Sequence, residues 1–253
     1  MAWSKDNIIR LSTVDSTNRY VRDEAAVLWA KSGVADGFVV VNAEHQTAGR
    51  GQRGNTWNSN AGENLLFSIL IRPGETLRVA NQFLLSQAVT LALHDAMKSY
   101  GIDTRLKWPN DIYVGKRKLA GVLVELDYSG SFVEQAIIGV GINVNQLLFP
   151  VMDRIPVSMK MLQGYGFVTE EVLETVIGCF ERYYAELCKG NAEAITAQYT
   201  ALLLGLNERC CYIDAAGPFE GVIEGVGNDG RLLVRRSDGV LSRYVFKEIE
   251  QPL

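Results

Sequence analysis

The sequence is poor in several of the residues on which protein chemistry most often rests. Its 253 residues include only four cysteines and two histidines. Cys179, Cys188, Cys210 and Cys211 are too few and too badly spaced for a disulfide framework or a zinc site, and the last two are adjacent. Such sparse cysteine fits a reducing, cytoplasmic setting. His45 and His94 stand without the neighbours that would make either a catalytic base or a metal ligand, so both are expected to be structural. No G-x-S-x-G elbow and no H-E-x-x-H pair occurs, which removes the usual signatures of serine hydrolases and zinc peptidases. An excess of positive charge is also missing: 25 Lys and Arg against 29 Asp and Glu leave a net charge of -4. That balance gives no general attraction to a polyanion, and no specific DNA binding is expected. Long apolar runs are absent too. The longest stretch free of charge, Gln135 to Met152, is interrupted by Asn143, Asn145, Gln146 and Pro150, and the first residues lack a signal-peptide core. The expectation is a chain neither exported nor membrane-spanning.

With 47% hydrophobic and 21% charged residues, the composition is that of a globular protein. Capping side chains at Asp15-Ser16-Thr17-Asn18 predict a helix over Tyr20 to Lys31. Leu77, Ala80, Leu84, Ala88 and Leu91 recur at helical intervals and predict a long core-facing helix ending at Gly101. A third helix is expected from Thr169 to Lys189, stopped by Gly190. Between them lie apolar, β-branched runs at Phe38 to Val41, Leu65 to Ile71, Ile112 to Val114, Gly121 to Leu126 and Ala136 to Val144. The turn signals after Lys107 sit too close to their flanking runs for crossover helices, which predicts an antiparallel meander within one sheet. After about residue 205 the helical period disappears and short runs alternate with turn sequences such as Asn228-Asp229-Gly230. The fold class is therefore α+β: a mixed, largely antiparallel sheet with packed helices over residues 1–204, and a small C-terminal β barrel over 205–253.

Gly49-Arg50-Gly51-Gln52-Arg53-Gly54 matches the dinucleotide pattern G-x-G-x-x-G letter for letter. The dinucleotide reading fails because such a loop must open a helix, whereas here more loop and then a strand follow. A flexible loop carrying two guanidiniums remains, suited to closing over a phosphate-bearing ligand; an ordinary solvated glycine loop is the plain alternative. Lys107-Trp108-Pro109-Asn110-Asp111 places a cation, an aromatic, an amide and a carboxylate around one tight turn, and Lys116 to Gly121 brings more cations nearby. A charge run of this kind is also what a solvated face looks like. Gly139-Val140-Gly141-Ile142-Asn143, within an apolar strand, suggests backbone yielding space or a β-bulge.

Taken in order, the Ser16-Thr17-Asn18 turn, the segment from Glu44 to Trp57, Lys107 to Asp111, Lys118 to Gly121 and Gly139 to Asn143 resemble the biotin protein ligases. The resemblance implies a class II synthetase-like catalytic domain, a C-terminal SH3-like domain, and the ligase-only type without an N-terminal DNA-binding module. It implies ATP-dependent formation of biotinyl-5′-adenylate and transfer of biotin to a lysine of a biotin carboxyl carrier domain, with Mg2+ required, and it leaves a homodimer open. By the same resemblance Ser16, Thr17, Asn18, Gln46, Gly49, Arg50, Gly51, Gln52, Lys118 and Gly121 bind biotin. Arg53, Trp57, Lys107, Asn110, Asp111 and Asn143 lie at the nucleotide, with Trp57 suited to stack on adenine. Lys118, Arg50 and Asp111 are the implied catalytic set: Lys118 between carboxylate and α-phosphate, Asp111 to orient or deprotonate the acceptor lysine. No metal ligands are assigned. One departure stands out. The family's common Gly-Arg-Gly-Arg is Gly49-Arg50-Gly51-Gln52 here, which leaves two alternatives: the adjacent Arg53 supplies the missing guanidinium, the favoured one, or the remaining loop contacts suffice and the intermediate is held more loosely. Lipoate or octanoate ligases and transferases, and a non-catalytic biotin- or nucleotide-sensing module, are the competing readings.

Overall fold

The computed structural model describes residues 8–32, 37–151 and 154–251, and of Lys31, Ser32 and Arg53 only the backbone. The first sheet takes β1 (Ile8–Val14), β2 (Phe38–Gln46), β3 (Leu65–Ile71), β4 (Gly74–Arg78), β5 (Arg105–Lys107), β6 (Asp111–Val114), β7 (Arg117–Ser129) and β8 (Phe132–Ile142). Its order is β1-β2-β3-β8-β7-β6-β5, with β4 also paired to β8. Only β1 and β2 run parallel; the β5 to β8 meander is antiparallel, as the short turns require. The helices are α1 (Thr17–Ser32), α2 (Phe83–Ser99), α3 (Met159–Gln163), α4 (Thr169–Cys188) and α5 (Ala192–Ala201).

Alternation along the strands sends side chains to two different cores. Val39, Val41, Leu70 and Ile137 pack beneath Val21 and Leu28 of α1. Phe38, Val40, Phe67, Ile69 and Ile138 face the other way, toward α2 and α4. Because both faces are covered, all seven residues of β3 are buried, which is why this segment reads as a continuous apolar run. The run's one polar member, Ser68, is fully buried and faces the α1 side.

The second sheet, of five strands in the order β12-β11-β10-β9-β13, is antiparallel throughout. It is built from β9 (Arg209–Asp214), β10 (Gly217–Val226), β11 (Leu232–Arg236), β12 (Leu241–Tyr244) and β13 (Ile249–Glu250). Tyr212, Ile223 and Val234 join the same apolar cluster as α2 and α4, so the two sheets share a continuous core.

Three expectations are corrected. Helix α2 begins at Phe83: Leu77 lies on β4 and Ala80 in a 3-10 turn, their helical spacing being coincidental. Helix α1 starts at Thr17, before the predicted Tyr20. Gly139 and Gly141 sit in unbroken register with both neighbours, so that stretch contains no bulge. Short α3 and α5, whose periodic signal spans too few turns, were not anticipated.

Candidate active site

Residues 137, 139 and 141 of β8 project from one face of the sheet. Ile137 uses that face to pack under α1, but the two glycines leave it bare. A Cβ at Gly139 would stand 2.3 Å from Asn18 Oδ1, and one at Gly141 would stand 2.4 Å from Trp57 Cε2. The glycines thus make the floor on which Asn18 and the Trp57 indole lie. Neighbouring strands extend this floor: Gly121 pairs with Gly141, Leu123 with Gly139 and Glu125 with Ile137, while Ser68 pairs with Gly139 from the other side.

One wall is neutral and densely hydrogen-bonded. Parallel pairing of Val14 with Gln46 sets the end of β2 beside the turn into α1. There the Thr17 N–H and Oγ1 donate to Gln46 Oε1 at 2.7 and 3.0 Å. Ser68 Oγ lies 2.8 Å from Thr17 Oγ1 and 2.6 Å from Asn18 Oδ1. Asn18 Nδ2 donates to Glu125 Oε2 at 2.8 Å, and Arg50 of the glycine-rich loop reaches the other oxygen of the same carboxylate at 3.2 Å. Ser16, Thr17 and Asn18 are each only 3% exposed. Buried polar groups in such numbers are tolerable because nearly all are paired.

The opposite wall is charged. Lys107 ends β5, Asp111 opens β6, and the turn between them is pinned from elsewhere in the chain. The Tyr199 hydroxyl donates to the Pro109 carbonyl at 2.9 Å, and Trp108 Nε1 donates to the Gly230 carbonyl at 2.9 Å. The Asn110 amide donates to the Val122 carbonyl. Lys118 Nζ lies 2.8 Å from Asp111 Oδ1 and 5.7 Å from the Trp57 ring centroid. A Cβ at Gly121 would sit 3.2 Å from both Asp111 Oδ1 and Lys118 Nζ, so this glycine keeps open the space beside the ion pair. The Trp57 Nε1 is buried without a hydrogen-bond partner among the described residues.

The cavity between these walls gathers Ser16, Thr17, Asn18, Gln46, Arg50, Gly51, Gln52, Trp57, Asn110, Asp111, Lys118 and Gly121, all singled out from the sequence. Gly49 lies beneath it, packed on the Trp57 carbonyl and Gln46. Lys107 points elsewhere: its ammonium donates to the Gln251 carbonyl at 3.1 Å, and burial, with Arg154 nearby, lowers its pKa to about 8. Asn143 is engaged in structure, donating to the carbonyls of Val157 at 3.1 Å and Lys118 at 3.4 Å. The Arg53 side chain lies outside the described residues. Sequence reasoning missed Arg154 and Phe246, which line the cavity, and Ser68 and Glu125, which organise its neutral wall. Ser68 carried a signal, a lone hydroxyl in an apolar strand that must find a partner. Arg154 and Phe246 carried none.

Residues 11–143 match the model of the biotin/lipoate A/B protein ligase family. The biotin--[acetyl-CoA-carboxylase] ligase of Paracoccus denitrificans is 32% identical over 238 residues, covering 90% of this chain and 94% of that protein. The bifunctional ligase/repressor BirA of Bacillus subtilis is 30% identical over 218 residues, or 85% of this chain; the match spans 66% of that relative's length. Among solved structures, biotin protein ligase from Aquifex aeolicus in complex with biotin and ATP superposes with a TM-score of 0.80 at 26% identity, covering 97% of this chain and 99% of that one.

Proposed function

The chain belongs to the biotin/lipoate A/B protein ligase family, and from that premise we propose that it activates biotin with ATP to biotinyl-5′-adenylate. It then transfers biotin to a lysine of a biotin carboxyl carrier domain of a carboxylase. The observation that carries this reading is the polarity of the cavity: a neutral hydrogen-bonding end at Thr17, Asn18 and Gln46, and a charged end at Lys118 and Asp111. A ureido ring offers N–H donors and a carbonyl acceptor to the first end, while its valerate carboxylate extends toward the second. A dithiolane or a plain acyl chain could use none of the remaining hydrogen-bonding capacity of these amides and hydroxyls, which disfavours lipoate and octanoate.

In the first step a carboxylate oxygen of biotin bonds to the α-phosphorus and pyrophosphate leaves. Lys118 draws the two anions together and offsets the charge that builds on the phosphate. In the second step the acceptor amine attacks the mixed anhydride, a proton is lost and AMP departs. Asp111 holds Lys118 in place. Once phosphate engages Lys118, the freed carboxylate is the group to orient or deprotonate the amine. Arg50, Gly51 and Gln52 close over the adenylate and keep out water.

Magnesium is part of the proposal as a metal carried by the nucleotide. Among the described residues the cavity is lined by a single carboxylate, Asp111, and no three His, Cys, Asp or Glu side chains converge to cage a resident ion. Held by Asp111 and the phosphates, it would neutralise phosphate charge. We further propose residues 1–204 as the catalytic unit and 205–253 as an SH3-like unit, a cytoplasmic location, and no DNA-binding role; a homodimer is compatible with the reading. Among the described residues no helix is long and apolar enough to cross a membrane. Pyrophosphate release measured with biotin, lipoate and octanoate side by side, followed by labelling of a carrier-domain lysine, tests the assignment. Release is expected with biotin plus ATP and Mg2+ alone; equal release with lipoate would overturn it, and none with any acid would favour a sensor.

A further inference from the structure

Three described cations line the cavity, and they differ in how their charge is balanced. Arg50 is paired with Glu125 at 3.2 Å and Lys118 with Asp111 at 2.8 Å. Arg154, at the mouth of the cavity, has no carboxylate within 4.0 Å among the described residues. Its guanidinium Nη1 instead donates to the Tyr113 hydroxyl at 3.2 Å. Tyr113 is fully buried on β6, so Arg154 is anchored to the sheet beside the site. On the same tyrosine, Lys107 Nζ stands 5.6 Å from the ring centroid, and the proximity of Arg154 contributes to the low pKa of Lys107. Two cations therefore flank Tyr113, and the charges of Asp111 and Glu250 reach both of them without a direct ion pair to Arg154 among the described residues. Among the described residues this end of the cleft thus presents a guanidinium held by a neutral hydroxyl rather than by a direct ion pair, which suits an anion.

We propose that Arg154 binds the β- and γ-phosphates of the nucleotide and holds pyrophosphate as it leaves. The proposal rests on the ATP-dependent reading above and adds a residue to it. Lys118, set between Gly121 and Trp57, belongs to the junction of carboxylate and α-phosphate, which leaves Arg154 for the part of ATP beyond it. As the carboxylate oxygen bonds to the α-phosphorus, the bond from phosphorus to the bridging oxygen breaks and its electron pair stays on pyrophosphate. No proton is needed. A guanidinium meets that growing charge with two parallel donors, and its place at the mouth lets the product depart.

The test compares wild type, Arg154→Ala, Arg154→Lys and Tyr113→Phe in ATP-dependent pyrophosphate exchange, in calorimetric binding of preformed biotinyl-adenylate, and in calorimetric binding of inorganic pyrophosphate to the ligand-free protein. Arg154→Ala is expected to raise the ATP concentration for half-maximal exchange by about tenfold to a hundredfold. Its affinity for biotinyl-adenylate, which lacks the outer phosphates, should change by less than about twofold. Arg154→Lys should recover part of the loss, and Tyr113→Phe should reproduce a smaller part of it. Unchanged ATP dependence in Arg154→Ala, or an equal loss of adenylate affinity, would overturn the role. Should wild type release no pyrophosphate with biotin, the functional reading fails, yet the pyrophosphate arm still decides this site: weaker binding by Arg154→Ala upholds an anion site, and equal binding removes it.

Discussion

The neutral and the charged walls of the cavity solve opposite physical problems with the same sheet as support. On the neutral wall, the hydroxyls and amides of buried Thr17, Asn18 and Ser68 are bonded to neighbouring side chains, so their orientation is set by the protein's own contacts. On the charged wall, Lys118 and Asp111 form a partly exposed ion pair that a bound anion must rearrange, and Arg154 has no carboxylate within 4.0 Å among the described residues. The difference teaches where rigidity is useful. A neutral head group is recognised by preset hydrogen bonds whose desolvation is already compensated, whereas reacting phosphates need charges free to change partners.

Replacing Lys118 is the sharpest way to break the contrast. Lys118→Ala should slow adenylate formation by about two orders of magnitude or more, with a smaller loss of biotin affinity, because the carboxylate loses its cation while the neutral wall is untouched. Rapid-quench measurement of pyrophosphate release, alongside calorimetric titration with biotin, separates the two effects. Gly139→Ala attacks the other wall. Its Cβ must displace the Asn18 carboxamide, which is tethered to Ser68, Glu125 and Leu123, and biotin affinity should fall about tenfold or more with kcat much less affected. A normal biotin affinity in that variant would mean that Asn18 has no part in head-group recognition. Ser68→Ala strips the shared hydroxyl from Thr17 and Asn18 and should cost about 1–3 kcal/mol of stability in urea unfolding, with a parallel but smaller loss of biotin affinity.

The smallest effect lies outside both walls. His94 is buried against the Thr104 hydroxyl at 2.8 Å, and burial holds its pKa below the ordinary 6.5. Below pH 6.5 the unfolded chain binds a proton that the folded chain resists, so stability should be full above that pH and decline as pH falls through the interval below it. His94→Gln, which keeps a polar partner for Thr104, should flatten this decline in urea unfolding between pH 7 and about 5. An unaltered slope would show that His94 is not the titrating group.

How much was legible depends on how local each signal is. The β5 to β8 meander followed from short turns, and α4 from Thr169 to Cys188 followed from a twenty-residue period. The parallel strand β1 and the five-residue α3 were too weakly patterned to be read. At the site, Lys118 and Asp111 were legible as residues of neighbouring turns, but their direct pairing depends on the register of β6 against β7. Lys107 and Asn143 sit in the same motifs, yet their polar groups are used by the Gln251, Val157 and Lys118 carbonyls. A motif names residue types; which side of a strand faces the cavity is settled by pleat and register.

By itself the sequence determined the kinds of chemistry present: glycines that yield space at 121, 139 and 141, a loop of glycine and arginine, a lysine and an aspartate near one turn, and hydroxyls and amides at the start of a helix. These are properties of single residues and short spacings. Only the tertiary structure decided that Glu125 would hold both Asn18 and Arg50, that Tyr199 and Gly230 would fix the turn before Asp111, and that Arg154 would reach the cavity by way of Tyr113. Each of these contacts joins segments far apart in the chain, and its geometry comes from packing helices and a second sheet against the first. Side-chain hydrogen bonds need partners placed to within a few tenths of an ångström, and no local pattern of residues encodes that distance.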